Sequence, residues 1–169
     1  MKALDKVLSR DYDELRQKNL ETIYKFFALQ GNDFLEAWKL YADEPFVGVE
    51  TTENARPESV AGDIKYTKEW YAYNVKHFPN WKTNELTVFQ KEDPTRFLVV
   101  ATSEGDVELP DYPKAHICTD FIHEFEMDDG KIAFHMTHTN PLVFVHDLNA
   151  GEIPKLIYPI AVRKGNIYT

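Results

Sequence analysis

The chain of 169 residues has a single cysteine, Cys118, so no intramolecular disulfide can form and no stapled secreted framework exists. Basic charge is also scarce. Lys and Arg number 19 against 28 Asp and Glu, a formal net charge of −9. Affinity for phosphates comes mainly from basic residues, so neither nucleic acid nor an anionic membrane surface is an expected partner. No run approaches the roughly 18 apolar residues that would cross a bilayer. The stretch MKALDKVLSRDYDEL is charged throughout and lacks the apolar segment of an export signal, which makes the cytoplasm the expected location. No internal repeat, low-complexity tract or linker divides the sequence, and its length is that of one domain, so residues 1–169 are expected to form a single unit.

Aromatics, by contrast, are plentiful: eleven Phe, nine Tyr and three Trp supply large flat side chains to wall a pocket. Leu8, Tyr12, Leu15, Leu20, Ile23 and Phe27 recur at helical spacing and predict an amphipathic helix over about residues 9–29, with Gly31 as its stop. Asp33 with Glu36 three residues on forms a capping-box pattern opening a short second helix that carries Phe34, Trp38 and Tyr41 on one side. A strand from Phe46 to Thr52 leads into the polar loop TENARPES. A third helix follows from about Asp63 to Phe78, striped by Thr67, Trp70, Asn74 and Phe78 and ended by Pro79.

From Trp81 the period changes to two. Strands are predicted at 82–90, 96–104, 115–127 and 131–139, the last two closing a hairpin around Asp128-Asp129-Gly130. The apolar tail after Asn140-Pro141 is expected to dock on the body or on a second subunit. Helices first and an antiparallel sheet after them make the class α+β, not a parallel α/β sheet. The expected architecture is a cone, a curved and mainly antiparallel sheet folded over three N-terminal helices around an internal cavity.

Several segments, in order, resemble the phenazine biosynthesis protein A/B family, a SnoaL-like branch of the superfamily of ketosteroid isomerase and nuclear transport factor. They are Lys18–Tyr24, Leu40-Tyr41-Ala42-Asp43-Glu44, Thr51-Thr52, Lys76-His77-Phe78-Pro79-Asn80-Trp81, Phe89 with Glu92-Asp93-Pro94, Phe121-Ile122-His123-Glu124-Phe125-Glu126, Asp128-Asp129-Gly130-Lys131-Ile132, Asn140, and Val162-Arg163-Lys164-Gly165. The resemblance implies a small cone-shaped homodimer with a closed pocket and no metal or organic cofactor. It implies a reaction in which two amino-oxo-cyclohexene carboxylates condense, each amine attacking the other's ketone, to give two imines and a tricyclic phenazine precursor. The tasks are orientation of two reactants and proton transfer to each departing hydroxyl. In the family, a His on the third helix and a Glu on the last strand look like the acid–base pair, with a Ser one turn beyond the His and an Arg on the second helix holding the substrate. Here Trp70 stands at the His position, Asn74 at the Ser position, Thr137 at the Glu position, and Glu36 or Ala37 where the family has Arg. Indole cannot titrate, Thr is far too weak an acid to replace a carboxyl group, and loss of Arg makes the pocket less welcoming to a carboxylate.

The remaining residues offer replacements. Trp70 and Asn74, one turn apart, give either a pocket with an aromatic wall and an amide for a ligand carbonyl, or a core stripe with one satisfied polar group. Trp38, Tyr41 and Thr137 complete the substrate-binding candidates, the ligand being a small cyclic carbonyl or aromatic compound. On the last strand His135, Thr137 and Thr139 share one face and Phe134, Met136 and His138 the other, and a bulge between Gly130 and Asn140 would exchange the sets. Asp120 with His135 or His138 would make a new acid–base couple, these three being the catalytic candidates; the alternative is a cross-strand polar pair on an exposed face. His135-x-x-His138, with His123 and Asp120 near, invites a metal, but three-residue spacing on a strand sends the imidazoles to opposite faces, so no metal is expected. Tyr66, Tyr71 and Tyr73 fit either a pocket or a dimer interface. Glu124–Asp129 reads as a solvated hairpin edge, Lys76 and His77 as partners of a helix dipole, and Cys118 as a packing residue. Three functions follow: an enzyme of the phenazine A/B type, a binding protein for an aromatic or polyketide-like ligand without turnover, or an isomerase or cyclase of the wider superfamily. The last needs a carboxylate base in the cavity, for which Asp63, Glu69 and Asp120 are the candidates.

Overall fold

A computed structural model describes residues 2–50, 58–61, 64–110 and 113–139. Thr51-Thr52, most of the TENARPES loop, Asp63, Asn140 and the tail through Val162-Arg163-Lys164-Gly165 lie outside the described residues, as does the side chain of Tyr66. Among the described residues no helix is long and apolar enough to cross a membrane.

The first helix, α1, runs from Lys2 to Ala28 and buries Leu20, Ile23, Phe26 and Phe27, one face at helical spacing. Tyr12, expected on that face, is half exposed. The same face carries polar residues that fasten the helix to two turns of the sheet. Asn19, fully buried, donates from Nδ2 to Pro94 O at 3.0 Å, and its Oδ1 accepts from Gly130 N at 2.9 Å. Thr22 Oγ1 donates to Gly130 O at 2.7 Å, and Lys18 meets Asp129 at 2.7 Å.

The second helix is a 3-10 helix, Gly31–Leu40, and Asp33 is not its cap. Gln30 holds the N-cap position with no side-chain bond, and its carbonyl accepts from Asp33 N. Winding of three residues per turn lines up Phe34, Ala37 and Leu40 toward the core, so Trp38 is displaced sideways and Tyr41 becomes the first residue of a strand. The third helix, α2 (Ile64–His77), buries Thr67, Trp70 and Tyr71. It stops where Asn74 O accepts from Phe78 N and Asn80 turns to φ 58°. His77 does not face solvent: it is buried, and its Nδ1–H donates to Glu108 O at 2.9 Å.

Six strands form one sheet: β1 (Tyr41–Glu50), β2 (Glu58–Ala61), β3 (Lys82–Gln90), β4 (Arg96–Val107), β5 (Ala115–Asp128) and β6 (Lys131–Thr139). Their order is β2-β1-β6-β5-β4-β3, antiparallel throughout except for β1 beside β6, which is parallel. β2 covers the end of a segment expected to be loop. β1 begins five residues earlier than expected, with irregular pairing between Tyr41 and Phe46 around Pro45, which has no amide to donate. The β5–β6 hairpin turns at Asp129 (φ 44°) and Gly130 (φ 84°), the pair of positive φ values that an Asp-Gly two-residue turn needs. Helices and inner sheet face enclose the core, whose largest fully buried members include Phe97, Phe125, Ile23, Ile117 and Ile132. The α+β cone is therefore present, with a mixed sheet.

Candidate functional site

A bulge decides which face of β6 points inward. The β5–β6 register pairs Met127 with Ile132 and Glu126 with Phe134, so Ala133 is the extra residue. Ile132 and His135 both face the core in consequence, and beyond the bulge the inward set is His135, Thr137 and Thr139. On β5 the inward set is Phe121, His123 and Phe125.

These residues close one side of a cavity of about 130 Å³, the order of size that holds one benzene-sized ring (roughly 150 Å³). α1 and its following turn contribute Phe26, Phe27 and Leu29; α2 contributes Trp70, Tyr71, Asn74 and Val75; Phe78 and Trp81 close the end near β3. Polar atoms are few. Thr83 and Ser103 bond one another at 3.2 Å, and Asn74 Nδ2 donates to Trp70 O at 2.9 Å. Thr139 Oγ1 is buried with no partner among the described residues. No Asp, Glu, Lys or Arg lines the cavity among the described residues.

Set into this wall is a buried hydrogen-bonded chain contributed by four elements. Tyr71 Oη on α2 lies 2.5 Å from Tyr41 Oη on β1, and Tyr41 Oη lies 2.6 Å from His135 Nδ1 on β6. His135 Nε2 lies 3.0 Å from His123 Nδ1 on β5, and Thr137 Oγ1 sits 3.2 Å from both of those nitrogens. The parallel β1–β6 pair sets Tyr41 opposite Ile132, from where its hydroxyl reaches His135, and Phe26, Phe27 and Phe125 pack ring to ring around the two imidazoles. Burial, with a smaller contribution from His138, holds the His123 imidazolium pKa down to about 3. Burial and then His123 hold His135 well below the ordinary value. Burial likewise pushes the Tyr41 and Tyr71 phenols up. All four rings are therefore neutral at neutral pH.

The structure brings Trp70, Asn74, Thr137 and His135 to the cavity, and places Tyr41 one bond behind it. It does not bring Asp120 to either histidine. Asp120 is exposed on the outer face and accepts from Thr102 Oγ1 at 2.6 Å. His138 is on that outer face too, 3.6 Å from Glu124, so His135 and His138 diverge as strand geometry requires. Trp38 lies beside the core with Lys68 Nζ 3.8 Å over its ring, away from the cavity. Glu36 is exposed and ion-paired with Lys39, Ala37 is core, Glu69 is exposed, and Cys118 is exposed rather than packed. His123, expected only as a neighbour of a metal reading, and Tyr71, left open between pocket and dimer interface, both line the cavity. Both carried a signal: His123 alternates with Phe121 and Phe125, and Tyr71 follows Thr67 by one helical turn.

An aromatic-walled site roofed by helices on a curved sheet is the ketosteroid isomerase-like architecture, and a protein of that fold from Catenulispora acidiphila superimposes with a TM-score of 0.62 at 10% identity, covering 76% of this chain and 92% of its own. Within that class the chain belongs to the phenazine biosynthesis protein A/B family, whose model matches residues 4–157. Phenazine biosynthesis protein PhzB 2 of Pseudomonas aeruginosa is 33% identical over 132 residues, spanning 76% of this chain and 81% of the relative. The crystal structure of a phenazine biosynthesis-related protein from P. aeruginosa matches with a TM-score of 0.79 at 32% identity, over 86% of this chain and 92% of that one.

Proposed function

We propose that the protein is a cofactor-independent catalyst of the phenazine A/B type, acting on a small cyclic ketone by imine formation, with His123 in place of the family's acid–base pair. What supports the reading is the position of His123. It lines the cavity, and its Nδ1 is engaged by His135 and Thr137, which leaves Nε2 as the ring nitrogen to meet a ligand. When an amine adds to a ketone, the carbonyl oxygen gathers negative charge and becomes a hydroxyl. That hydroxyl then takes up the proton that nitrogen gives up and leaves as water as the C=N bond forms. A neutral imidazole held in an apolar wall suits the first step, polarising the carbonyl without itself becoming an imidazolium. Orientation of the amine against that carbonyl supplies the rest.

The test is the rate of condensation of the amino-oxo-cyclohexene carboxylate, and of the carboxyl-free 2-aminocyclohexanone, with and without protein. The expected result is acceleration that falls by about 10²-fold or more in His123→Phe. Equal acceleration by His123→Phe overturns it. The homodimer implied by the family is part of the same proposal and is read by sedimentation.

A second reading, binding of one uncharged ring without turnover, is favoured by the cavity volume and by the lack of charge on its described lining. Protein carrying Trp70→His and Thr137→Glu together separates the two. Acceleration appearing only in that variant would assign the unaltered protein to binding.

A further inference from the structure

We propose that the buried chain Tyr71–Tyr41–His135 fixes His123 in one neutral tautomer, with its proton on Nε2, so that the cavity presents an N–H donor to a ligand carbonyl. Tyr41 and His135 are then positioning residues, and their role rests on the reading that a carbonyl meets His123.

The count of protons and lone pairs along the chain decides the tautomer. Each phenol has one O–H, and each neutral imidazole has one N–H and one lone pair. Tyr71 Oη has one hydrogen-bond partner among the described residues, Tyr41 Oη. A buried hydroxyl without an acceptor is costly, so Tyr71 donates to Tyr41. The Tyr41 O–H then has one acceptor left, His135 Nδ1 at 2.6 Å. That nitrogen must offer its lone pair, which puts the His135 proton on Nε2. His135 Nε2–H faces His123 Nδ1 at 3.0 Å and Thr137 Oγ1 at 3.2 Å, while the Thr137 O–H can donate to His123 Nδ1 at 3.2 Å. His123 Nδ1 is an acceptor on both counts. Its proton therefore sits on Nε2, the one donor in the chain left over for a ligand.

The reverse order would run His123 Nδ1–H to His135, His135 Nδ1–H to Tyr41, and Tyr41 to Tyr71. It strands the Tyr71 O–H, which has no other acceptor among the described residues. The unfavourable burial of charge on either imidazole removes the remaining escape, a shared extra proton. The choice between donor and acceptor at the cavity wall is thus made two hydrogen bonds away, at the Tyr41 hydroxyl on β1, whose O–H has His135 Nδ1 as its acceptor, in keeping with the rule that one imidazole nitrogen is set by what the other one bonds.

Nitrogen NMR of protein labelled with ¹⁵N-histidine reads this directly, because protonated and unprotonated imidazole nitrogens resonate in separate regions. The expected spectrum has His123 and His135 each protonated on Nε2 alone. Tyr41→Phe removes the donor to His135 Nδ1 and should move His123 from one tautomer to a mixture, with weakened binding of the probe 2-cyclohexen-1-one. Tyr71→Phe removes an equally buried hydroxyl but leaves the Tyr41 donation intact, so the His123 tautomer should not change. A merely structural role would make the two variants alike. A His123 proton on Nδ1 in the unaltered protein, or an unchanged His123 in Tyr41→Phe, overturns the inference. If Tyr41→Phe does not fold, the spectrum of the unaltered protein still decides. Failure of the condensation assay with the Nε2–H tautomer present would strike the catalytic reading alone; the wrong tautomer with condensation intact would strike this inference alone.

Discussion

His123 and His135 are held neutral inside an aromatic wall, and this couples the stability of the fold to pH. Unfolded, each has an ordinary pKa near 6.5. Folded, each is depressed, His123 to about 3. Between those values the unfolded chain binds more protons than the native one, so stability is fully present above about pH 6.5 and is lost as pH falls. Two such groups give a slope approaching about 2.7 kcal/mol per pH unit at pH 5, where the carboxylates are still mostly ionised. Urea unfolding at pH 7, 6 and 5 measures it. His135→Phe should remove about half of the slope, whereas a slope unchanged in that variant would show that His135 is protonated in the native state. The histidine pair was only partly legible in the sequence. Alternation with Phe121 and Phe125 marks His123 as inward, but the face of His135 depends on the Ala133 bulge, which no residue type announces.

Among the elements, those fixed by short-range chemistry were legible: the α2 stripe ended by Pro79, the alternating strands β3 to β6, and the Asp-Gly turn. Those that depend on distant partners were not. β2 is a strand because β1 is there to pair with it, and the parallel β1–β6 contact joins residues about ninety positions apart. The polar face of α1 shows the same dependence, since Asn19 is buried only because two turns of the sheet come to it. Asn19→Ala should leave Pro94 O and Gly130 N unpaired and cost about 2–4 kcal/mol in chemical denaturation, roughly the penalty for two stranded buried groups. Gly105 on β4 tests the opposite end of the cavity. A Cβ there would come within 2.5 Å of Trp81 Cε3 and 2.9 Å of Trp81 Cα. The second contact is backbone and cannot swing aside. Gly105→Ala should destabilise by about 1–3 kcal/mol, the usual cost of overpacking, and shift the Trp81 fluorescence as the cavity wall moves. Loss of stability without any change at Trp81 would refute the steric account.

For the whole molecule, the cavity divides its polar atoms into those already paired and those left over. Thr83 bonds Ser103, Asn74 bonds Trp70 O, and Thr137 serves the two histidines; Thr139 Oγ1 has no partner among the described residues. A group that stabilises the fold is expected to be paired, so a buried hydroxyl on the residue opposite Phe121, with no partner among the described residues, weakens the fold and is a candidate for a ligand contact. Thr139→Val keeps the shape of the side chain and replaces the hydroxyl with a methyl group. It should therefore stabilise the protein by about 1 kcal/mol, a rise of roughly 2–4 °C in Tm for a chain of this size. The same change should weaken the binding of an oxygen-bearing ring such as 2-cyclohexen-1-one by about tenfold, the ordinary worth of one buried hydrogen bond, while leaving benzene, which offers no acceptor lone pair, unaffected. Thermal unfolding and titration of both probes check the two halves together. A variant that is less stable, or that loses benzene and cyclohexenone equally, would mean that Thr139 supports the wall rather than facing the ligand.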